Sequence, residues 1–303
     1  MKLGVVIVTY NRLELLKECV EACLNQTIPF EKIFIVNNAS TDGTFEYLKS
    51  LKDKKLNIIN SDTNLGGAGG FYLGIEEASK SELDYLLIID DDAIIDSKYN
   101  ESILPYMEKG KVKAFSGSVM TDGKLQYEHR RHMDSNFNCT YSNEEEYKKE
   151  YFDYELATFC GLYVSVDIIK KIGLPKKEFF IWFDDTEYSI RILKYTKIRN
   201  VNKAFLNHKT KLVVNSGYNW KSYYSIRNQI VIMKEYFSKS VLTKFKFNIY
   251  LHIIYSKLMG FIKCSKYYKV VANMYKDALY DGMNNKLGKN EKYAPNNGDL
   301  FKK

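Results

Sequence analysis

The sequence predicts an α/β protein: a mostly parallel, twisted sheet flanked by helices, followed by a helical C-terminal appendage. Three observations lead there. Short apolar runs alternate with segments of helical periodicity through the first 95 residues, the pattern of right-handed βαβ units. The polar residues of that stretch collect at the carboxyl ends of the apolar runs, where parallel sheets bind ligands. From residue 215 onward the composition changes, with 16 Lys/Arg against 5 Asp/Glu, whereas residues 1–214 hold 29 against 32.

The first strand is read at 3–9, Leu-Gly-Val-Val-Ile-Val-Thr. A helix over 13–25 follows, with Leu15, Leu16, Cys19 and Cys23 as its core face. Next come a strand at 32–37, a helix over 44–51, a strand at 57–61, a helix over 71–79 and a strand at 85–90. The four strand ends carry Thr9-Tyr-Asn-Arg12, Asn37-Asn-Ala-Ser-Thr-Asp42, Asn64-Leu-Gly-Gly-Ala-Gly-Gly70 and Asp90-Asp-Asp92. The glycine stretch is read as a loop. Gly67-Ala-Gly69 begins like a dinucleotide fingerprint, but Tyr72 stands where the third glycine belongs, and the stretch follows the third strand rather than the first. It is either a plain turn or a cradle whose N–H groups face a phosphate or sugar.

Three adjacent carboxylates at the end of a buried strand repel one another. A divalent cation offsets that repulsion, with Asp90 and Asp92 offering hard oxygens to Mg²⁺ or Mn²⁺, which in turn holds a diphosphate.

The 303 residues, 45% hydrophobic, are enough for one large domain with an appendage. Met1 leads directly into a core strand, without the features of an export signal. Five cysteines with no C-x-x-C pair argue against a disulfide framework and a zinc site, and fit a reducing cytosol. The slight negative balance of the crevice half argues against a nucleic-acid partner. In the C-terminal region Lys239, Lys244, Lys246, Lys257, Lys263, Lys266 and Lys269 interleave with aromatics, and His252 and Lys257 interrupt its most apolar run. It does not cross a membrane. It either lies in a membrane interface at the inner face of the cell membrane, near a lipid-linked acceptor, or packs on the preceding domain. The sequence is compatible with a homo-oligomer and does not specify one.

Taken together, Val6-Ile-Val-Thr-Tyr-Asn-Arg12, Val36-Asn-Asn-Ala-Ser-Thr-Asp-Gly-Thr44 and the acidic D-x-D resemble the inverting family 2 glycosyltransferases of GT-A fold, over roughly residues 1–230. Asn64–Phe71, Trp182-Phe-Asp-Asp-Thr-Glu187 and Tyr223-Tyr-Ser-Ile-Arg-Asn228 look most like the galactofuranosyl- and rhamnosyltransferases of bacterial polysaccharide assembly. The resemblance implies a UDP-galactofuranose donor, or alternatively dTDP-rhamnose, and a glycan or lipid-linked glycan acceptor. It places Thr9, Tyr10, Arg12, Asn38, Asn64, Gly66, Gly67, Asp90 and Asp91 around the nucleotide-sugar, with Thr9 and Arg12 at the diphosphate and Asn38 at the base. Asp90, Asp92 and His208 would hold Mn²⁺ or Mg²⁺, Asp185 would be the catalytic base, and Trp182 and Asp184 would face acceptor or sugar. Many relatives have Asp where this chain has Asn37 or Asn38. An amide still serves a pyrimidine, so uracil and thymine both stay open.

The resemblance implies a catalytic domain at 1–215, divided into a nucleotide-sugar half (1–95) and an acceptor-side half (96–215). A helical region at 216–290 and a flexible tail at 291–303 follow. Asp184 and Glu187 match an acidic capping box that would start the helix after Asp185. His129 and His132 are read as a solvated polar loop, and Glu144–Glu146 with Lys148 and Lys149 as a surface helix. Two other classes are weighed. A sugar-1-phosphate nucleotidyltransferase expects a basic glycine-rich loop near the N-terminus, and Tyr10-Asn-Arg-Leu-Glu14 has no glycine. A non-catalytic glycan-binding module would release no nucleotide.

Overall fold

The computed structural model describes residues 1–210 and 217–301, the side chains of 296, 298 and 299 excepted. The expected boundary at 215 lies outside the described residues. The chain forms two compact units: one of residues 1–133, 139–177 and the described residues among 185–212, the other of 134–138, 178–184 and the described residues among 213–303.

In the first unit β1 (Leu3–Thr9), β2 (Lys32–Asn37), β3 (Leu56–Asn60) and β4 (Tyr85–Asp90) are linked by α1 (Leu13–Leu24), α2 (Thr44–Ser50) and α3 (Gly66–Ala78). All four strands run parallel in the order β4-β1-β2-β3, with Val8 beside Asp90 and Thr9 beside Asn37. Every residue of β1 is buried because its two faces serve different cores. Leu3, Val5 and Ile7 pack with Leu16, Cys19, Val20 and Cys23 of α1, while Val6 and Val8 pack with Phe71, Ile75 and Ala78 of α3. The two cysteines are core residues, as their spacing predicts.

The glycine stretch is corrected from loop to helix, since α3 begins at Gly66 rather than near Phe71. Glycine is a poor helix former, but packing overrides propensity here. A Cβ at Gly70 would stand 2.5 Å from Val8 Cγ1, and one at Gly74 would stand 2.4 Å from Val6 Cγ1, so only glycine lets α3 lie this close to β1.

After β5 (Ala93–Ile95) and α4 (Tyr99–Glu108) the sheet continues through β6 (Ala114–Thr121), β7 (Lys124–Leu125), β10 (Tyr151–Tyr154), β12 (Leu162–Ser165) and β13 (Ile198–His208). Its order is β10-β13-β6-β12-β4-β1-β2-β3, with β12 antiparallel to both β4 and β6. A small sheet pairs β8 (Arg130–Met133) with β9 (Cys139–Tyr141) and β11 (Leu156–Ala157). Helices α5 (Glu144–Tyr147), α6 (Val166–Ile172) and α7 (Asp184–Ile192) complete this part of the chain. The α5 surface helix carries the expected ion pairs, Lys148 to Glu144 and Glu145.

The second unit is built on α8 (Trp220–Tyr236), α9 (Lys239–Ile262) and α10 (Lys266–Met283), which bury Tyr224, Ile230, Ile249, Ile253, Val271 and Met274 among themselves. The expected flexible tail is instead packed as far as Phe301. Tyr293 stacks on Tyr223 with centroids 4.5 Å apart and donates to Asp277 at 2.7 Å, and Phe301 is buried. Aromatic burial supplies what its polar composition concealed. No helix among the described residues is long and apolar enough to cross a membrane.

Candidate active site

The loops after β1 and β2 are laced to each other at the carboxyl edge of the sheet. Asn11, with φ +53°, accepts from Thr41 N at 2.7 Å, its own N–H donates to Ser40 Oγ at 3.0 Å, and Asp42 accepts from Leu13 N at 2.9 Å. Asn38 is buried, and its amide is spent on the next loop. Its Oδ1 accepts from Leu65 N (2.9 Å) while Nδ2 donates to Gly66 O (3.0 Å) and Asn64 Oδ1 (3.3 Å). Asn64 in turn accepts from Gly66 N at 2.8 Å. Asn38, expected at the base, therefore holds the start of α3. Tyr10 is exposed, and at Gly67 a Cβ would meet nothing within 4 Å.

Two of the three carboxylates, Asp91 and Asp92, are held by Arg12, with His208 close to Asp92. Thr9 Oγ1 donates to Asp91 at 2.7 Å, and Arg12 Nη1 bridges Asp91 (3.2 Å) and Asp92 (2.7 Å). Thr210 also donates to Asp92, and His208 Nε2 lies 3.4 Å from Asp92 Oδ1. Burial, then Asp92 and Asp91, push Asp90 well above the usual carboxylate range. Burial pushes Asp91 up to about 6, although Thr9 and Arg12 pull against it. Burial acts the same way on Asp92, but there His208, Thr210 and Arg12 prevail and hold it below the usual range. His208 is the counterpart: burial lowers its pKa, and the Asp92 carboxylate more than restores it. Thr9 and Arg12, expected at the diphosphate, thus bond the carboxylates.

Among the described residues no three His, Cys, Asp or Glu side chains already stand as a metal-ligand set. Of the expected trio, Asp92 and His208 lie side by side, and Asp90 interacts electrostatically with both. Asp92 Oδ1 and His208 Nδ1 are buried without a hydrogen-bond partner. Asp92 Oδ1 and His208 Nε2 stand 3.4 Å apart, a carboxylate and an imidazole facing one another. A carboxylate oxygen and an imidazole nitrogen are the kinds of donor that would hold a divalent cation there.

Two residues that sequence reasoning missed join this site to the next. His129 is buried rather than solvated, its ring edge-on to His208 with centroids 5.1 Å apart and its Nε2 without a partner. Burial and neighbouring cations keep its pKa well below normal, so it is neutral. Two residues on, Arg131 donates to Thr186 Oγ1 at 2.9 Å and acts electrostatically on Asp185. His132 sits between Glu146 (2.8 Å) and Glu155 (3.0 Å). The run His129-Arg130-Arg131-His132 reads as surface because it is polar. His129 and Arg130 are buried and Arg131 and His132 partly so, where β8 pairs with β9 and β11.

Asp185, half-buried in the first turn of α7, accepts from Thr186 N at 2.5 Å and Thr186 Oγ1 at 3.1 Å. Burial raises its pKa above normal while Arg131 and Thr186 restrain the rise. Asp184, the first residue of α7, is buried. Glu187, the expected partner in a capping box, is engaged by Arg191 at 2.9 and 2.7 Å.

Trp182 belongs to the second unit and is 42% exposed. Phe180, Trp182 and Phe183 all adopt left-handed backbone, at φ +65°, +64° and +69°, a conformation costly for bulky residues. Asn228 Nδ2 binds the carbonyls of Phe179 (3.1 Å), Ile181 (3.2 Å) and Trp182 (2.8 Å), and Arg227 those of Glu178 (3.3 Å), Phe179 (3.0 Å) and Gly288 (2.6 Å). The Arg-Asn pair at the end of Tyr223–Asn228 is the clamp that holds this strap.

A family model described as glycosyl transferase family 2 matches residues 4–173. The poly(ribitol-phosphate) beta-glucosyltransferase of Bacillus spizizenii is 35% identical over 130 residues, 42% of this chain and 19% of that protein. The galactofuranosyltransferase GlfT1 of Mycobacterium tuberculosis is 25% identical over 194 residues, covering 62% of this chain and 64% of its own length. The matches span less than half the length of the first three curated relatives (19%, 36% and 47%). Two solved structures share the fold. TarS residues 1–349 of S. aureus in complex with UDP-GlcNAc aligns at TM-score 0.59 with 16% identity, over 99% of this chain and 84% of that one. GalNAc-T7 with UDP, GalNAc and Mn²⁺ aligns at TM-score 0.64 with 14% identity, over 94% and 56%.

Proposed function

The chain belongs to glycosyl transferase family 2, and from that premise we propose that it is a metal-assisted, inverting transferase moving galactofuranose from UDP-galactofuranose. The acceptor is a hydroxyl of a growing bacterial cell-surface polysaccharide or lipid-linked glycan. The observation that carries this is the pairing of buried Asp92 with half-buried His208, with Arg12 also on Asp92, at the carboxyl ends of the strands. The galactofuranosyl donor draws support from the relative named for that transfer.

Asp92 and His208 would hold Mn²⁺ or Mg²⁺, which when bound offsets charge growing on the leaving diphosphate. Arg12, whose side chain is 43% exposed, turns from the carboxylates toward the donor phosphates, and the N-terminus of α3 adds its N–H groups. Asp185 accepts the proton of the acceptor hydroxyl as that oxygen bonds to C1 of the sugar. The bond from C1 to the phosphate oxygen breaks, the nucleotide diphosphate leaves, and the anomeric centre inverts. Burial makes Asp185 a stronger base than an exposed aspartate. Trp182 and Asp184 face sugar or acceptor.

Binding of UDP-galactofuranose and dTDP-rhamnose with Mn²⁺ present tests the donor. Tight binding of the dTDP sugar alone would replace this reading with rhamnosyl transfer. Nucleotide release that needs donor and acceptor together identifies transfer.

We further propose that the enzyme works at the cytoplasmic face of a membrane. Phe247, Tyr250, Leu251, Ile254, Leu258 and Phe261 recur at helical spacing on α9 and are 48–81% exposed, with Lys246, Lys257 and Lys263 among them. Such a face suits the interface of an anionic bilayer. Absence of sedimentation with anionic liposomes at low salt would end this reading.

A further inference from the structure

We infer that the second unit carries a glycan-binding groove, running from Asn136 and Asn138 past Trp182 and Asn248 to Tyr255, that takes several consecutive sugars of the acceptor. The inference rests on the glycan-acceptor reading above and adds the place where that chain lies. Three cavities of about 360, 340 and 420 Å³ line up along it, each in the range of small-molecule sites, roughly 300–1,000 Å³. Asn248 borders all three, Gln229 and Phe245 border the first two, and Tyr218 and His252 border the last two. They are one groove, not separate pits.

The lining combines rings with amides. Trp182, Tyr218 and His252 present ring surfaces, the last stacked on Tyr275 at 5.1 Å with 6° between planes. Gln229, Asn248 and, at one end, Asn136 and Asn138 supply amides. Sugars offer apolar C–H faces that pack on rings, and hydroxyls that both donate and accept. A side-chain amide is the neutral group presenting both a donor and an acceptor in one plane. Among the described residues lining the three cavities, Lys244 is the single Lys, Arg, Asp or Glu, so the lining matches hydroxyls rather than a highly charged ligand.

One end fits a lipid-linked chain. Trp182, three residues before Asp185 in sequence, borders the middle cavity with its carbonyl bound by Asn228, and Asn136 and Asn138 border the cavity at one end. At the other end Leu251 and Tyr255 belong both to the groove and to the exposed apolar face of α9. Sugars laid along the groove would therefore leave their lipid at the surface proposed to meet the membrane.

The chain has two tryptophans, so Trp220→Phe leaves Trp182 as the sole reporter. Octyl oligogalactofuranosides and oligorhamnosides of one to four sugars are titrated against its emission, with UDP titrated separately. Calorimetry on the parental chain repeats the series in case the variant folds poorly. The expected result is saturable binding by one series, strengthening roughly tenfold from one sugar to three. Asn248→Ala and Gln229→Ala should flatten that gain while UDP binding holds. Binding by neither series, affinity independent of length, or variants that bind as the parent does would overturn the groove. Oligosaccharide binding without UDP- or dTDP-sugar binding would sink the donor assignment and leave the groove standing.

Discussion

Each unit buries an arginine bonded to carbonyl oxygens instead of a carboxylate, and the two serve different ends. In the first unit Arg130 donates to the carbonyls of Gly117 (2.7 Å), Cys160 (3.0 Å) and His129 (3.0 Å) and to Asn200 Oδ1 (3.1 Å). Its two chain neighbours each carry a buried polar atom without a partner, His129 at Nε2 and Arg131 at Nε. In the second unit Arg227 gathers carbonyls from the strap and from Gly288, and what it restrains is backbone strain at Phe180, Trp182 and Phe183. The first unit fixes charge and the second fixes shape. A transferase needs both, a donor site that manages phosphate charge and an acceptor side that presents surfaces to a neutral sugar.

The largest expected effect falls where charge becomes chemistry. Asp185→Asn should lower turnover by on the order of 10² to 10⁴, with donor affinity and melting temperature near parental values. A variant that transfers at the parental rate would remove Asp185 from the mechanism. The base must be ionised, so kcat/KM should rise with pH through the Asp185 pKa, which burial places above the ordinary value of about 3.9. Arg131→Gln removes a cation that favours the ionised form, and the limb should move to higher pH. A shift to lower pH would contradict the electrostatic role of Arg131.

The arginines themselves come next. Arg227→Met leaves several buried carbonyls unpaired, at a cost of about 3 kcal/mol if two charge-assisted hydrogen bonds are lost. Acceptor KM should rise and Trp182 emission change, while UDP binding persists. Arg130→Met should show the converse, weakened metal-dependent nucleotide binding with Trp182 emission unchanged. Identical phenotypes would dissolve the contrast between the units.

Metal dependence sharpens the contrast further. Chelation should weaken donor binding and Mn²⁺ restore it, and both Asp92→Asn and His208→Ala should lose at least about tenfold of that restoration, roughly 1.4 kcal/mol. Parental metal response in His208→Ala would show that the histidine is only a partner for Asp92.

Much of this contrast was legible in the chain, but unevenly. The strands of the first half, and the polar groups at their ends, lie within a few residues of one another, so periodicity and local composition find them. The pairing of Asp92 with His208 needs β13, and the burial of His129 and Arg130 needs the small sheet, neither of which leaves a local trace. Arg227 and Asn228 stood within a visible motif, yet their role depends on carbonyls 46 to 61 positions away. The tail was misjudged because Tyr293 and Phe301 are isolated rings in polar sequence, and their burial depends on partners elsewhere in the unit.

The smallest expected effect asks whether the glycines of α3 serve packing or the donor. At Gly70 packing suffices, because a Cβ there would collide with Val8. At Gly67 it does not, since a Cβ would meet nothing within 4 Å. Glycine costs a helix about 0.5–1 kcal/mol relative to alanine, so folding alone would favour alanine at this position. A bare backbone in the first turn does permit close approach of a phosphate or sugar to the N–H groups of the helix. Gly67→Ala should therefore raise the melting temperature slightly while weakening UDP-sugar binding by a few-fold. Stabilisation without any loss of donor affinity would remove Gly67 from the nucleotide-sugar site, and a fall in melting temperature would show that α3 tolerates no side chain there.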